Sequence, residues 1–162
     1  MEDSKNPILN KFYGDNPVTI VDHKHNGYDA SRIDWNDLSR KKVLVHHTII
    51  AGDAATAGNF GVIWIAPYKC FLSSLRVSYA VTSASGTLQL EKLTTTQAPD
   101  SGTTMLESAV SLSSTANTVI SGTPSNTPSN KTLDAGDRLC LKDAGSLVGL
   151  SNLTVVVELT IV

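Results

Sequence analysis

From residue 43 onward the chain is a series of short apolar runs, and residues that favour turns separate each run from the next. The clearest run, residues 71–81, ends in an alternation that places Arg76 and Ser78 on one face of a strand. The same alternation predicts that the opposite, inward face carries Leu75, Val77, Tyr79 and Val81.

No part of the chain shows a long 3.6-residue period, so helices cannot supply its main framework. The runs predict about seven or eight short strands at the spacing of a β-sandwich or jelly roll. The predicted fold is therefore all-β, a jelly-roll-like antiparallel β-sandwich preceded by an extended N-terminal arm. The runs are residues 43–50, 60–66, 71–81, 87–93, 117–121, 137–142 and 153–162.

The charged residues divide the chain into two regions. Residues 1–42 carry seven acidic and seven basic side chains, whereas the other 120 residues carry eight and six but contain 31 Ser and Thr. This change predicts a boundary near Lys42, with the arm over residues 1–42 and the β-sandwich over residues 43–162. The arm has too few apolar residues to fold by itself.

The bulk properties argue against several classes of partner. A formal net charge of -2 gives no electrostatic reason to expect nucleic acid. No apolar run approaches the roughly 20 residues that span a bilayer, and the polar start M-E-D-S-K-N-P does not resemble a secretory signal. We therefore expect a protein made in a cytoplasm, where Cys70 and Cys140 are buried thiols. A disulfide between them is the less favoured alternative.

Catalytic signatures are missing from the sequence. It has no nucleophile elbow, zinc-protease, P-loop or dinucleotide-binding motif. His46 and His47 are adjacent in a predicted strand, so they point to opposite faces and cannot chelate together. Hydrogen bonds between side chain and backbone explain acidic residues at turns. Those residues are Asp53, Asp100, Asp134, Asp137 and Asp143. We predict that the chain is not an enzyme.

The arm contains a closely spaced histidine pair, His23 and His25, in the stretch D-H-K-H-N-G-Y-D. In an extended segment, residues i and i+2 face the same side. Three chains meeting on a threefold axis would bring six imidazole nitrogens together, which favours an octahedral ion such as Fe²⁺ over tetrahedral zinc. The alternative is a pair of solvated loop histidines beside an Asn-Gly turn.

Two segments resemble structural proteins of tailed bacteriophages. H-K-H-N-G-Y-D-A-S-R-I, with D-L at 37–38, resembles an H-x-H-[NT]-G-x-D motif of such proteins, and H-x-H is similar to the iron-binding signature of trimeric phage fibres. G-T-L-Q-L-E-K-L, K-T-L-D-A-G-D-R-L-C-L and G-S-L-V-G-L-S-N-L-T-V-V-V-E-L resemble a β-sandwich domain of phage head fibres and capsid decoration proteins. Together they cover about residues 22–38 and 86–160. The chain has one H-x-H, whereas long iron-bearing fibres repeat it.

The resemblance implies a structural virion protein, a homotrimeric head fibre or decoration protein. Its arm would bind the major capsid protein or another virion protein through apolar groups. These groups are Pro7, Ile8, Leu9, Phe12 and Tyr13. The same residues could instead form a strap across their own sandwich. His23 and His25 are the implied ligands of Fe²⁺ at the threefold axis.

Two other functions are consistent with a β-sandwich. A tail-associated receptor-binding or fibre protein would recognise a glycan or protein on the host surface, through a groove near residues 94–104 or 122–130. A monomeric carbohydrate-binding module or small hydrolase is disfavoured, because Trp64 and Tyr79 fall in apolar patterns instead of forming an exposed aromatic platform.

Overall fold

The computed structural model describes residues 41–49, 60–94 and 96–162. This part of the chain contains ten antiparallel strands and one short helix, so the predicted all-β sandwich is confirmed. The elements are β1 (Lys42–Ile49), β2 (Val62–Ile65), β3 (Cys70–Ser78), β4 (Thr87–Leu93), β5 (Thr103–Thr104), β6 (Val110–Ser111), β7 (Ile120–Gly122), α1 (Pro128–Lys131), β8 (Thr132–Leu133), β9 (Arg138–Ala144) and β10 (Leu153–Ile161).

The strands form two sheets. Sheet A has the order β1-β10-β3-β7, and β8 also pairs with β3. Sheet B has the order β2-β9-β4-β5, and β6 also pairs with β4. The first strand thus lies beside the last, and the chain crosses repeatedly from one sheet to the other, which is the arrangement of a jelly roll.

The core lies between the sheets because each long strand alternates apolar and polar residues. In β10 the residues Val155 and Val157 are fully buried, while the neighbouring Val156 and Glu158 are half-buried on the outer side. From sheet B, Leu90 of β4 is buried. Each fully buried Leu or Val side chain contributes about 1.5–3 kcal/mol through its transfer from water.

The end of β3 differs from its prediction. Leu75, Val77 and Tyr79 are buried as expected, but Val81 is 50% exposed. The strand ends at Ser78, and the chain then turns away so that Val81 forms only an isolated bridge with Ser151. Alternation in the sequence could not reveal this turn, because the apolar pattern continues through it.

Both cysteines are free and fully buried, as predicted, with Cys70 in sheet A and Cys140 in sheet B. Burial chiefly, together with the Asp137 carboxylate near Cys70 and the Glu91 carboxylate near Cys140, raises the pKa of each thiol to about 11. Neither thiol therefore forms the reactive thiolate near neutral pH.

Candidate functional site

The site residues predicted on the arm lie outside the described residues, so their proposed roles stay predictions. They are His23, His25, Pro7, Ile8, Leu9, Phe12 and Tyr13.

The two histidines of β1 point to opposite faces of sheet A, as predicted. His46 is exposed and lies opposite Val156, whereas His47 lies opposite the buried Val155. Within the described ranges, no three His, Cys, Asp or Glu side chains are grouped so that they could hold a metal ion. None of the helices in the same ranges is long and apolar enough to cross a membrane.

The turn between β8 and β9 shows the predicted role of a turn aspartate. The Asp137 carboxylate is buried and its Oδ2 accepts a hydrogen bond from the Asp134 backbone N–H at 2.9 Å. Asp134 itself forms an exposed ion pair with Lys69 at 3.0 Å. These carboxylates stabilise a turn.

The outer side of sheet A forms a broad surface, here called the open face. It consists of the outward-facing residues of β1, β10, β3 and the start of β7, and strand pairing places them in cross-strand rungs. The rungs are Leu44–Glu158–Ser74, then His46–Val156–Arg76–Ser121, then Thr48–Thr154–Ser78 with Val119 beyond Ser78.

A shallow apolar depression of about 240 Å³ lies on the open face. Val156 and Val119, which is 68% exposed, are among the residues that line it. Arg76 lines it as well. The depression is therefore largely apolar and has a cation among the residues that line it.

The charges of the open face are arranged unevenly. Lys42 Nζ donates to Glu158 Oε1 at 2.6 Å, a cross-strand ion pair. Arg76 is exposed, and among the described residues it has neither a hydrogen bond nor an ion pair. Leu44, opposite Glu158 on the same rung, is 66% exposed. The open face thus carries two neighbouring features. One is the aliphatic side chain of Leu44 beside the Glu158 carboxylate, and the other is the apolar depression beside the Arg76 guanidinium.

The outer side of sheet B is covered by a segment of its own chain, here called the strap, which comprises Thr94 and residues 96–102. The Arg138 guanidinium donates to the carbonyl oxygens of Thr94 at 3.4 Å and Gln97 at 2.5 Å. Lys142 Nζ donates to the Asp100 carbonyl oxygen at 3.1 Å. The strap includes much of the segment for which the sequence predicted a receptor-binding groove near residues 94–104.

A buried carboxylate, Glu91, lies beside the strap. Its side chain is 1% exposed, and its Oε1 accepts a hydrogen bond from Lys142 Nζ at 3.1 Å. This hydrogen bond is the main reason that the pKa of Lys142 is raised. The pair stabilises sheet B only as a unit, because a buried carboxylate without its cation is costly.

One end of the sandwich carries no Asp, Glu, Lys, Arg or His in its three described loops, residues 79–86, 112–119 and 145–152, here called the uncharged end. At the average charged fraction of 17%, these 24 residues would include about four charged ones. Backbone hydrogen bonds join the loops, among them Ala84 N–H to the Val148 carbonyl at 3.1 Å and Ser83 N–H to the Leu112 carbonyl at 2.9 Å. Residues 50–59 lie outside the described residues.

The opposite end is charged and is where the arm joins the sandwich. The Ile161 N–H donates to the Lys41 carbonyl oxygen at 2.9 Å, which fixes the first described residue beside the end of β10. The Lys69–Asp134 ion pair lies in the loops of this end. The domain therefore has two chemically different ends.

No protein-family profile matches the chain, and none of the curated proteins does. Among solved structures the chain is similar to one in the "Cyanophage Pam1 capsid asymmetric unit". The two share 11% sequence identity, the match covers 77% of this chain and 88% of the other, and the TM-score is 0.47. A likeness this distant carries no argument about function.

Proposed function

We propose that the chain is a structural protein of a tailed-bacteriophage virion, a homotrimeric head fibre or decoration protein bound to the capsid through its N-terminal arm. The observation that carries the proposal is the resemblance of residues 86–160 to the β-sandwich of phage head fibres and decoration proteins. The matching stretches form β4, β9 and β10, which are three of the four inner strands of the two sheets.

The most specific matching phrase, A-G-D-R-L at 135–139, has a structural role at nearly every position. Gly136 has φ +92°, a left-handed conformation that glycine adopts without strain. Asp137 closes the turn, Arg138 holds the strap and Leu139 is fully buried. The phrase therefore marks a strand-entry turn with a strap behind it, which supports a common domain type over a chance match.

The two ends of the sandwich fit this role. The arm joins at the charged end, beside the Ile161–Lys41 hydrogen bond, so the uncharged end is opposite the junction. In this proposal the arm contacts the major capsid protein or another virion protein, and the uncharged end points away from the junction. The chain acts as a structural component and catalyses no reaction.

Mass in solution is the first test of this function. One chain has a mass of 17.2 kDa, so native mass spectrometry at micromolar concentration should give a species three times as heavy. A stable monomer under these conditions would contradict the trimer. Fe²⁺ at His23 and His25 adds a second requirement, which is one iron per trimer by elemental analysis and loss of that iron in His23→Ala.

Location on the virion is the second test. Gold-labelled antibody against the chain should decorate the heads of particles made from the genome that encodes it. Label confined to the tail would favour the alternative, a receptor-binding or fibre protein that recognises a host glycan or protein. Particles without label would overturn both functions.

A further inference from the structure

We propose that the open face binds the open face of a second copy of this chain, in a reciprocal contact across a twofold axis. This inference goes beyond the proposed function and does not depend on it. The contact would pair two monomers or, if the chain is a trimer, two trimers.

The open face contains both halves of a contact. Leu44 projects from it with 66% of its surface exposed, and the apolar depression of about 240 Å³ lies one to three strands away on the same face. A Leu side chain fits a depression of this size and lining. Exposed aliphatic groups of this kind mark interaction surfaces when they are contiguous.

A charged side chain lies beside each half of the contact. Glu158 lies directly opposite Leu44 on the neighbouring strand, and Arg76 lines the depression. An acidic group thus accompanies the projecting side chain, and a basic group accompanies the depression that would receive it. Arg76 has no partner among the described residues, whereas the ion pair of Glu158 with Lys42 uses Oε1. Complementary charges of this kind fix the register of a contact.

The register of the strands allows the apolar and the charged contacts to form together. Glu158 and Arg76 are one strand and one rung apart on the face, and Leu44 and the depression are separated along nearly the same diagonal. Neighbouring strands are about 4.8 Å apart, and same-face residues are about 6.8 Å apart along a strand. At these spacings, one axis in the plane of the face crosses two lines at their midpoints and at right angles. One line joins Leu44 to the depression, and the other joins Glu158 to Arg76. Rotation about that axis places Leu44 of one copy over the depression of the other, and Glu158 over Arg76.

Symmetry then makes the contact reciprocal. In an isologous twofold interface, if residue i of one copy meets residue j of the second, residue j of the first also meets residue i of the second. Each Leu44 enters a depression and each Glu158 meets an Arg76, so two apolar and two charged contacts form at once. Because both halves lie on one face, the contact between single chains is complete once two copies have paired, and it does not extend into an open chain.

Sedimentation of the full chain, from about 10 µM to about 1 mM, tests the contact, since this range reports weak association. We expect the mass of the species present at low concentration to double as the concentration rises. Leu44→Asp and Arg76→Glu should each weaken the doubling at least tenfold. The variant that combines Arg76→Glu with Glu158→Arg should associate at least tenfold more strongly than Arg76→Glu alone, because it restores opposite charges across the axis.

Val148→Asp is the matched control. Val148 is also 66% exposed, but it lies at the uncharged end and not on the open face. It should change the association less than twofold. The circular dichroism spectrum and melting temperature of Leu44→Asp, Arg76→Glu and Val148→Asp should match those of the parent, because these three side chains are exposed. The variant that also replaces Glu158, whose side chain is 25% exposed and paired with Lys42, should keep the parent's circular dichroism spectrum.

Four results would overturn the inference. One is that the mass does not double up to about 1 mM, and another is that it still doubles in Leu44→Asp and Arg76→Glu. The other two are that Val148→Asp weakens the association as much as those two substitutions do, and that the exchange of charges between Arg76 and Glu158 does not restore it. The proposed trimer fails by a different result, a monomer at low concentration. A monomer that doubles as described would refute the trimer and support the open-face contact.

Discussion

At the scale of single residues, the domain depends on charges that the sequence alone would place on its surface. In β4, Glu91 follows Leu90 in T-L-Q-L-E-K-L, and simple alternation puts it on the outer side of the strand. That orientation is correct, but the strap covers this side of sheet B, so Glu91 is buried. The sequence shows which way a side chain points, but not which distant segment lies on top of it.

The Glu91–Lys142 pair should contribute more to the free energy of unfolding than a surface ion pair does. Lys142→Met would leave the Glu91 carboxylate buried without its cation, and we expect a loss of about 2 kcal/mol in the free energy of unfolding, because the half-exposed lysine is partly screened by water. Urea denaturation measures this loss. Lys69→Met, which breaks the exposed pair with Asp134, should cost less than about 0.5 kcal/mol. Equal losses would show that burial of Glu91 adds nothing.

The same pair predicts a dependence on pH. The pKa of Lys142 is raised in the folded state above its ordinary value of 10.5, chiefly by the hydrogen bond to Glu91. The stability that it contributes is therefore complete below pH 10.5 and is lost as the pH rises through the folded-state pKa. The difference in unfolding free energy between the parent and Lys142→Met should be constant from pH 7 to 9 and shrink only in strong alkali. A difference that already falls between pH 7 and 9 would contradict this cause.

At the scale of elements, the length of a strand decided whether it could be predicted. The prediction located β1, β3, β4, β9 and β10, each of at least seven residues, and its runs 60–66 and 117–121 also covered β2 and most of β7, because these stretches are apolar or β-branched. It missed β5, β6 and β8, each of two residues, because two residues have no period and owe their conformation to the strand beside them. The open face was also beyond prediction, since its Lys42–Glu158 pair joins residues 116 positions apart.

In the loops of the uncharged end, we expect a substitution of Gly145 to lower the stability as much as a substitution in the core. Gly145 has φ +75°, and a Cβ at this position would overlap the Ser85 carbonyl oxygen. Gly145→Ala therefore combines a left-handed backbone with a clash against another backbone, and we expect a loss of about 3 kcal/mol.

Gly136 provides the matched comparison for that substitution. It has φ +92°, but a Cβ there would meet nothing within 4 Å. Gly136→Ala should cost only the backbone term, about 1–2 kcal/mol. Melting temperatures and urea midpoints measured side by side would separate the two contributions. If both variants lose the same stability, the close approach to Ser85 has no energetic role.

At the scale of the whole molecule, the described residues of the sandwich contain a core of their own. The core is formed by residues from both sheets, including Leu72 and Leu159 from sheet A and Leu139 from sheet B, each at most 1% exposed. About 120 residues are enough for an independently stable domain. The stability of the sandwich and the association of three chains should therefore be separable properties.

A chain that begins at Arg40 tests this separation. We expect it to unfold cooperatively, with the circular dichroism spectrum of an all-β protein, because the two sheets and their core are retained. At about 10 µM it should be a monomer, since in the proposed trimer the arm and its histidine pair hold three chains together. Sedimentation of the truncated and full chains at equal concentration gives the comparison. A truncated chain that does not fold would place part of the core in the arm, and one that stays trimeric would move the threefold contact into the sandwich.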